Sequence, residues 1–250
     1  VKVRLNFLAG YQDPRAVEVP DDTPEDRQLK MALESEVRHR ARLNGIDLGR
    51  AYLCEANLGS AYLSNAHLYG AYLGGADMGH TDLSHADLRR AYLSNAYLYC
   101  ANLKRANLSE GCLYNANLDN ADLSYANLRH ANLSHTGLNN TDLKCADLSR
   151  ATLYGARLGD ANLTGAYLDG KGIAALVTRV TRTIDSYEFR GWLMEDGSIR
   201  IDAGVCRHGH SPDSYRQHVA DKYAGSPKAA ETLRIIDFIE ASAKAMGAKT

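Results

Sequence analysis

Leucine stands at every fifth position from 43 to 168, broken only by Met78. Alanine stands two residues before each leucine, except at Ile46, Thr81, Gly111, Thr136 and Thr141. The residue between them is polar or aromatic except at Gly137, and two mixed residues follow, so 41–170 is 26 five-residue units without an insertion. A period of five suits neither regular element. On a helix it advances each leucine by roughly 140°, spreading the set over every face. On a flat strand an odd period sends alternate leucines to opposite faces. Every leucine stays inside only if the chain turns a corner in each unit. Ala-x-Leu is then a short extended side with its middle residue outward, and the last two residues make the bend. Four sides close a square, so one coil takes 20 residues and the repeat makes six and a half coils, about 31 Å at the inter-strand spacing. Leucine fills the centre, alanine lets layers approach, and backbone groups pair between coils.

The flanks carry other patterns. Val1, Val3, Leu5 and Phe7 alternate as in a strand, and residues 9–22, with Pro14 and Pro20, read as loop. Thr23-Pro24-Glu25-Asp26 predicts a helix start with Thr23 as cap, and helix 24–40 would bury Leu29, Leu33 and Val37 over the first coil. An open coil end exposes unpaired backbone and apolar core, so 1–40 is expected to cover it. After Gly170 the repeat stops. Ile184–Met194 and Ser198–Val205 predict two strands joined at Glu195-Asp196-Gly197-Ser198. Ser211-Pro212 opens a helix to Tyr223, and Ser226-Pro227 opens a longer one to Met246. The expected organisation is an N-terminal strand and capping helix (1–40), a repeat region (41–170) and a C-terminal α+β module (171–250).

Units such as Ala121-Asp122-Leu123-Ser124-Tyr125 and Ala126-Asn127-Leu128-Arg129-His130 resemble the pentapeptide repeat family, whose pattern is A-(D/N)-L-x-x. The resemblance implies an all-β solenoid, a right-handed quadrilateral β-helix. A bacterial setting and a protein-binding role fit it. Best-known members bind DNA gyrase by mimicking B-form DNA, and in some a C-terminal helix pairs two rods into a homodimer. The stretch Ala203-Gly204-Val205-Cys206-Arg207 and the closing helix resemble small bacteriophage-encoded proteins, which implies a phage origin or a virion component.

Charge weighs against mimicry over the whole rod. Residues 41–170 hold 10 basic and 12 acidic residues. Duplex DNA carries one charge per ~1.7 Å, on the order of 18 over the rod's length. Arg89, Arg90, Arg105, Arg129 and Arg150 interrupt any acidic track. A single acidic face remains open, with Asp77, Asp82 and Asp87 as its candidates. With 29 Lys plus Arg against 30 Asp plus Glu, direct nucleic-acid binding is not expected. No run of 18 apolar residues predicts a membrane span, and no secretion signal is expected. Five scattered cysteines without a Cys-x-x-Cys pair fit free thiols in a reducing cytosol.

Outward second positions carry tyrosine at 52, 62, 72, 92, 97 and 167. At 20 residues per coil, Tyr52, Tyr72 and Tyr92 should stack on one side. That serves either strand packing or partner binding, with Tyr62 and Tyr97 as further candidates. Cys206, His208, His210 and His218 are the metal-compatible cluster, but they lack the usual zinc spacing, so no metal or cofactor is expected. No acid/base pair or nucleophile constellation emerges. The expectation is a non-enzymatic scaffold that presents its faces and a C-terminal module to a protein partner. Alternatives are a DNA-mimicking gyrase regulator and a small metal or enzyme module at 171–250.

Overall fold

In the computed structural model, the Leu43 N–H donates to Tyr62 O at 2.9 Å and the Gly45 N–H to Ser64 O at 2.9 Å. The His67 N–H reaches back to Ile46 O at 2.9 Å. Partners 19 and 21 residues away mean that the chain returns above itself every 20. Second positions accordingly bridge in parallel from Arg42↔Tyr62 through to Asp142↔Asn162. Each side bridges through this single residue, so no long strand forms. The structure describes residues 2–6, 15–168, 171–181, 188–194, 198–203, 211–245 and 248. They fall into two units, Val1–Asn162 and Leu163–Thr250.

Corners recur as expected, with one added feature. The Ala51 N–H donates to Leu48 O at 3.1 Å, closing a four-residue turn, and this bond repeats along the coil. The fifth residue of each unit, from Arg40 to Gly165, has φ between 54° and 68°. Most are not glycine, so each costs about 1–2 kcal/mol of backbone strain. The inter-coil ladder fixes the turn regardless, because losing it would orphan buried amides. Alanine and leucine fill the interior; Leu103 and Leu123 are wholly buried. Thr81, Thr136 and Thr141 replace buried alanines by donating Oγ1–H to the carbonyls of Leu58, Leu113 and Leu118.

Residues before the repeat cover its first coil. Strand β1 (Lys2–Leu5) pairs antiparallel with β2 (Arg15–Glu18), and helix α1 spans Glu25–Arg38. Inside the coil, a second-position N–H uses the carbonyl 21 residues earlier. Asp47 and Asn57 have no coil before them. The Asp47 N–H donates instead to Asn6 O at 2.9 Å, and the Asn57 N–H to Glu34 Oε1 at 2.8 Å. Two expectations need correction. Arg15–Glu18 is a strand rather than loop, since pairing with β1 satisfies its backbone. Thr23 does not cap α1: Pro24 holds the N-cap position with no side-chain bond, and Thr23 is buried. Leu33 is buried, while Leu29 and Val37 are half-buried.

The second unit is a four-stranded antiparallel sheet in the order β3 (Ala166–Leu168), β4 (Lys171–Thr181), β5 (Glu188–Met194), β6 (Ile199–Ala203). Strand β4 is absent from the sequence expectations. The β5–β6 register aligns Leu193 with Ile199, as the expected hairpin requires; its turn, 195–197, lies outside the described residues. Helices α2 (Pro212–Tyr223) and α3 (Pro227–Ala245) start at the predicted prolines. The Ser211 Oγ accepts the Ser214 N–H at 3.1 Å. Phe189, Ile201, Tyr215, Val219, Ile236 and Ile239 form the core. Helix α3 lies so close to β5 that a Cβ on Gly191 would fall 2.3 Å from Ile239 Cγ2. Arg216 ties α2 to α3 through Asp237 and Glu240, and also bonds Asp213 on its own helix.

Candidate functional site: an aromatic side of the coil and the cleft at its end

The coil has four outward columns of second positions, and tyrosines dominate one. Tyr52 and Tyr72 stack with centroids 4.5 Å apart and planes 2° apart; Tyr72 and Tyr92 follow at 4.8 Å and 1°. Coil spacing sets this geometry, since successive rings stand one inter-strand distance apart. Tyr52 is 67% exposed and Tyr92 51%, while Tyr72 is half-buried between them. The column continues as Cys112, whose Sγ lies 3.2 Å from Ser94 Oγ. Tyr62 and Tyr97 do not join this stack. Tyr62 belongs to the column of Arg42 and Asp82, and Tyr97 to that of Asp77, where its ring meets Tyr99 at 6.0 Å.

At the N-terminal end of the stack, Arg27, Lys30, Tyr52, Cys54 and Glu55 line an open cleft of about 570 Å³. The Lys30 Nζ donates to Cys54 O at 2.9 Å, which sets the α1 residue against the first coil. Sequence reading misses this cleft, because the polar face of α1 resembles any solvated face. It also misses an arginine-rich corner nearby, where Arg89 pairs with Asp87 and Arg90 with Glu110. The guanidinium carbons of Arg89 and Arg50 stand 5.5 and 6.0 Å from the Tyr69 ring centroid, and Arg90 Nη1 donates to Tyr69 Oη at 3.2 Å. These residues are 19–40 positions apart or adjacent, and the 20-residue register is the signal that unites them.

Acidic side chains are mostly committed to the backbone. The expected acidic face does not form: Asp77, Asp82 and Asp87 occupy three successive sides. Five residues advance one side, whereas twenty keep the same side. Asp77 Oδ1 accepts the Gly79 N–H and Asp82 Oδ1 the Ser84 N–H, at 3.0 and 3.1 Å. Asp87 accepts both the Arg89 N–H and its guanidinium. This is the physical role of Asp or Asn at the second position: its side-chain oxygen takes the fourth-position N–H. Partial burial works against ionisation of Asp87, but the Arg89 contacts outweigh it and hold the carboxyl below its ordinary range. Asp47 behaves likewise, with burial overcome by His67 Nδ1 at 2.7 Å and by the Gly49 N–H.

Of the metal candidates, Cys206, His208 and His210 lie outside the described residues. His218 sits on α2, its ring 5.9 Å from Tyr215. Among the described residues no group of three His, Cys, Asp or Glu could hold a metal ion, and no helix is long and apolar enough to cross a membrane.

The pentapeptide repeats family matches residues 39–70, 66–99, 101–140 and 138–170, in eight copies and over just over half of the chain. The chain belongs to the pentapeptide repeat family. Members of this family form right-handed quadrilateral β-helices. Solved structures similar to this pentapeptide repeat chain include a thylakoid-lumen protein of Arabidopsis thaliana. It is 35% identical over 37% of this chain and 64% of its own, with a TM-score of 0.36. HetL of Nostoc sp. strain PCC 7120, involved in heterocyst differentiation regulation, is 28% identical over 53% and 81%, with a TM-score of 0.25. Full-length QnrB1, a plasmid-mediated fluoroquinolone resistance protein, is 21% identical over 49% and 79%, with a TM-score of 0.29. The chain thus spans just under two thirds of the thylakoid-lumen protein. No curated protein matches it.

Proposed function

We propose that this chain is a non-enzymatic interaction scaffold. Its repeat is a right-handed quadrilateral rod that presents the Tyr52–Tyr72–Tyr92 side to a protein partner. The observation that carries this reading is the parallel, exposed ring stack. Three aligned tyrosines form a broad amphipathic surface with little side-chain entropy left to lose, the kind of surface that anchors interfaces. The flanking corner of Arg50, Arg89 and Arg90, with Arg89 paired to Asp87 and Arg90 to Glu110, would add polar selectivity at its rim. The second unit is assigned a role in binding or in pairing two chains. The free thiols of Cys54, Cys100, Cys112 and Cys145 support a reducing compartment, the cytoplasm of a bacterial or phage-infected cell. A virion component is the other setting that this reading allows.

Gyrase regulation by DNA mimicry is the second reading. Its support is the column of Asp82, Asp122 and Asp142, one of two sides that carry three carboxylates each among the described residues. Asn102 and Asn162 interleave with these carboxylates and dilute the charge.

Capture from bacterial lysate separates the two readings. The bait is the full chain, compared with a variant carrying Tyr52→Ser, Tyr72→Ser and Tyr92→Ser. A partner retained by the native chain and lost with the variant, at unchanged melting, is the expected result. Gyrase subunits retained equally by both would replace this reading with mimicry.

A further inference from the structure

We propose that the cleft at the N-terminal end of the tyrosine stack binds a purine mononucleotide, with the base on Tyr52 and the phosphate held by Arg27 and Lys30. Tyr72 covers one face of the Tyr52 ring at 4.5 Å, in nearly parallel planes. The opposite face points toward the coil end, where α1 stands in place of a preceding turn and, among the described residues, no ring continues the ladder. Tyr52 is also the most exposed large hydrophobic among the described residues, at 67%, and it lines the cleft. A planar base laid on that face extends the ladder by one step, with geometry the coil has already fixed. Every base has a π-face to offer, and a purine covers more of the phenol than a pyrimidine does.

The polar lining fits the rest of such a ligand. Arg27 brings a planar fork of N–H donors suited to two phosphate oxygens. Lys30 spends one of its three N–H groups on Cys54 O at 2.9 Å and keeps two for an anion. Glu55 is the one carboxylate among the described lining residues and accepts from an exocyclic amine or the ribose hydroxyls. Two cations thus face one carboxylate among the described lining residues, in a chain whose net charge is −1. A volume of about 570 Å³ holds a nucleotide. The cleft offers one ring face, that of Tyr52, so the site takes one base and not a run of stacked bases. This proposal does not rest on the protein-partner reading, because it needs Tyr52 and α1 rather than the whole aromatic side.

Calorimetric titration of the full chain with adenosine 5′-monophosphate tests it, with adenosine, ribose 5-phosphate, inorganic phosphate and a short oligoadenylate as comparators. Binding with a dissociation constant below about 1 mM is expected. Adenosine and inorganic phosphate should each bind at least about tenfold more weakly. Tyr52→Ala should weaken the nucleotide by about tenfold or more, Arg27→Gln by a similar factor, and Tyr52→Phe hardly at all. Both altered side chains are exposed, so melting should be unchanged. No binding up to about 1 mM would overturn the proposal. So would equal binding by Tyr52→Ala, or inorganic phosphate matching the nucleotide. An oligoadenylate far tighter than the mononucleotide would overturn the single-base geometry.

Discussion

Asp122 Oδ1 accepts the backbone N–H of Ser124 at 2.8 Å. The same two-residue step recurs at Asn102–Lys104, Asn127–Arg129 and Asp147–Ser149. Carboxylate and amide oxygens therefore do one job at the second position, which is to satisfy an amide the ladder leaves over. Asp122→Asn should leave the melting temperature almost unchanged. Asp122→Ala removes the acceptor and should cost about 1 kcal/mol, as loss of a helix cap does. Thermal melts of the two variants check this; equal losses would mean that charge, not the acceptor, matters here.

That relationship also explains what was legible in the sequence. The leucine and alanine positions defined the side, the corner and the 20-residue coil, and the coil placed Tyr52, Tyr72 and Tyr92 together. The left-handed corner was hidden because its occupants (Arg50, Glu55, His80, Cys100, Asn115) share no chemistry; the ladder imposes their φ. Asp77, Asp82 and Asp87 looked like one face only because five-residue neighbours are close in sequence. Strand β2 is four residues long, with Pro14 before it and Pro20 after it, so loop signals outweighed it. Strand β4 runs Ala174-Ala175-Leu176-Val177 without the alternation that marks a half-buried strand. The cleft needed α1 docked on the first coil, which no local pattern announces.

Leu103 is wholly buried within the stacked coils. Leu103→Ala should cost about 2–5 kcal/mol, the transfer term plus a cavity that rigid coils cannot collapse into. Leu103→Asp should abolish folding, since an unpaired charge would stand in the dry centre, and Leu123→Asp should do the same. Circular dichroism and solubility measure this. A soluble Leu103→Asp chain with native melting would contradict the inward-leucine coil.

Asp147 supplies a pH test. Burial opposes its ionisation, but Ser149 and the Arg129 guanidinium, 3.2 Å from Oδ2, together lower its pKa below the ordinary 3.8. A depressed carboxyl stabilises the fold above its unfolded pKa and loses that contribution as pH falls through the folded value. Asp147→Asn keeps the Ser149 bond and loses only the charge. The variant should melt slightly lower than the native chain at neutral pH, and the gap should close as the pH drops below about 3.8. Because Asp147 and Arg129 are partly exposed, salt should narrow the gap as well. A gap that widened on acidification would have the sign wrong.

Gly191 has no room for a methyl group, with Ile239 Cγ2 only 2.3 Å from the place a Cβ would take. Ile239 is fully buried and branched at Cβ, so it cannot swing away cheaply. Gly191→Ala should cost about 1–3 kcal/mol through overpacking of α3 against β5. Ile239→Ala opens the space, so the double variant should be less destabilised than the sum of the two singles. A double-mutant cycle by denaturant melting checks this, and strict additivity would mean that the two positions do not meet.

Glu34 does for Asn57 what a preceding coil would have done, taking its N–H at 2.8 Å. The capping helix is therefore part of the ladder's hydrogen bonding as well as a lid over its apolar end. Glu34→Ala should leave that amide without its acceptor and cost about 1 kcal/mol, while Glu34→Gln, which keeps an acceptor oxygen, should cost less. Hydrogen exchange at the Asn57 amide is the local readout: faster by about fivefold in Glu34→Ala and close to native in Glu34→Gln. Exchange at Leu123, deep in the stack, should move in neither. If Glu34→Ala left the Asn57 amide as protected as before, α1 would be covering the first coil by packing alone, through Leu33 and its neighbours.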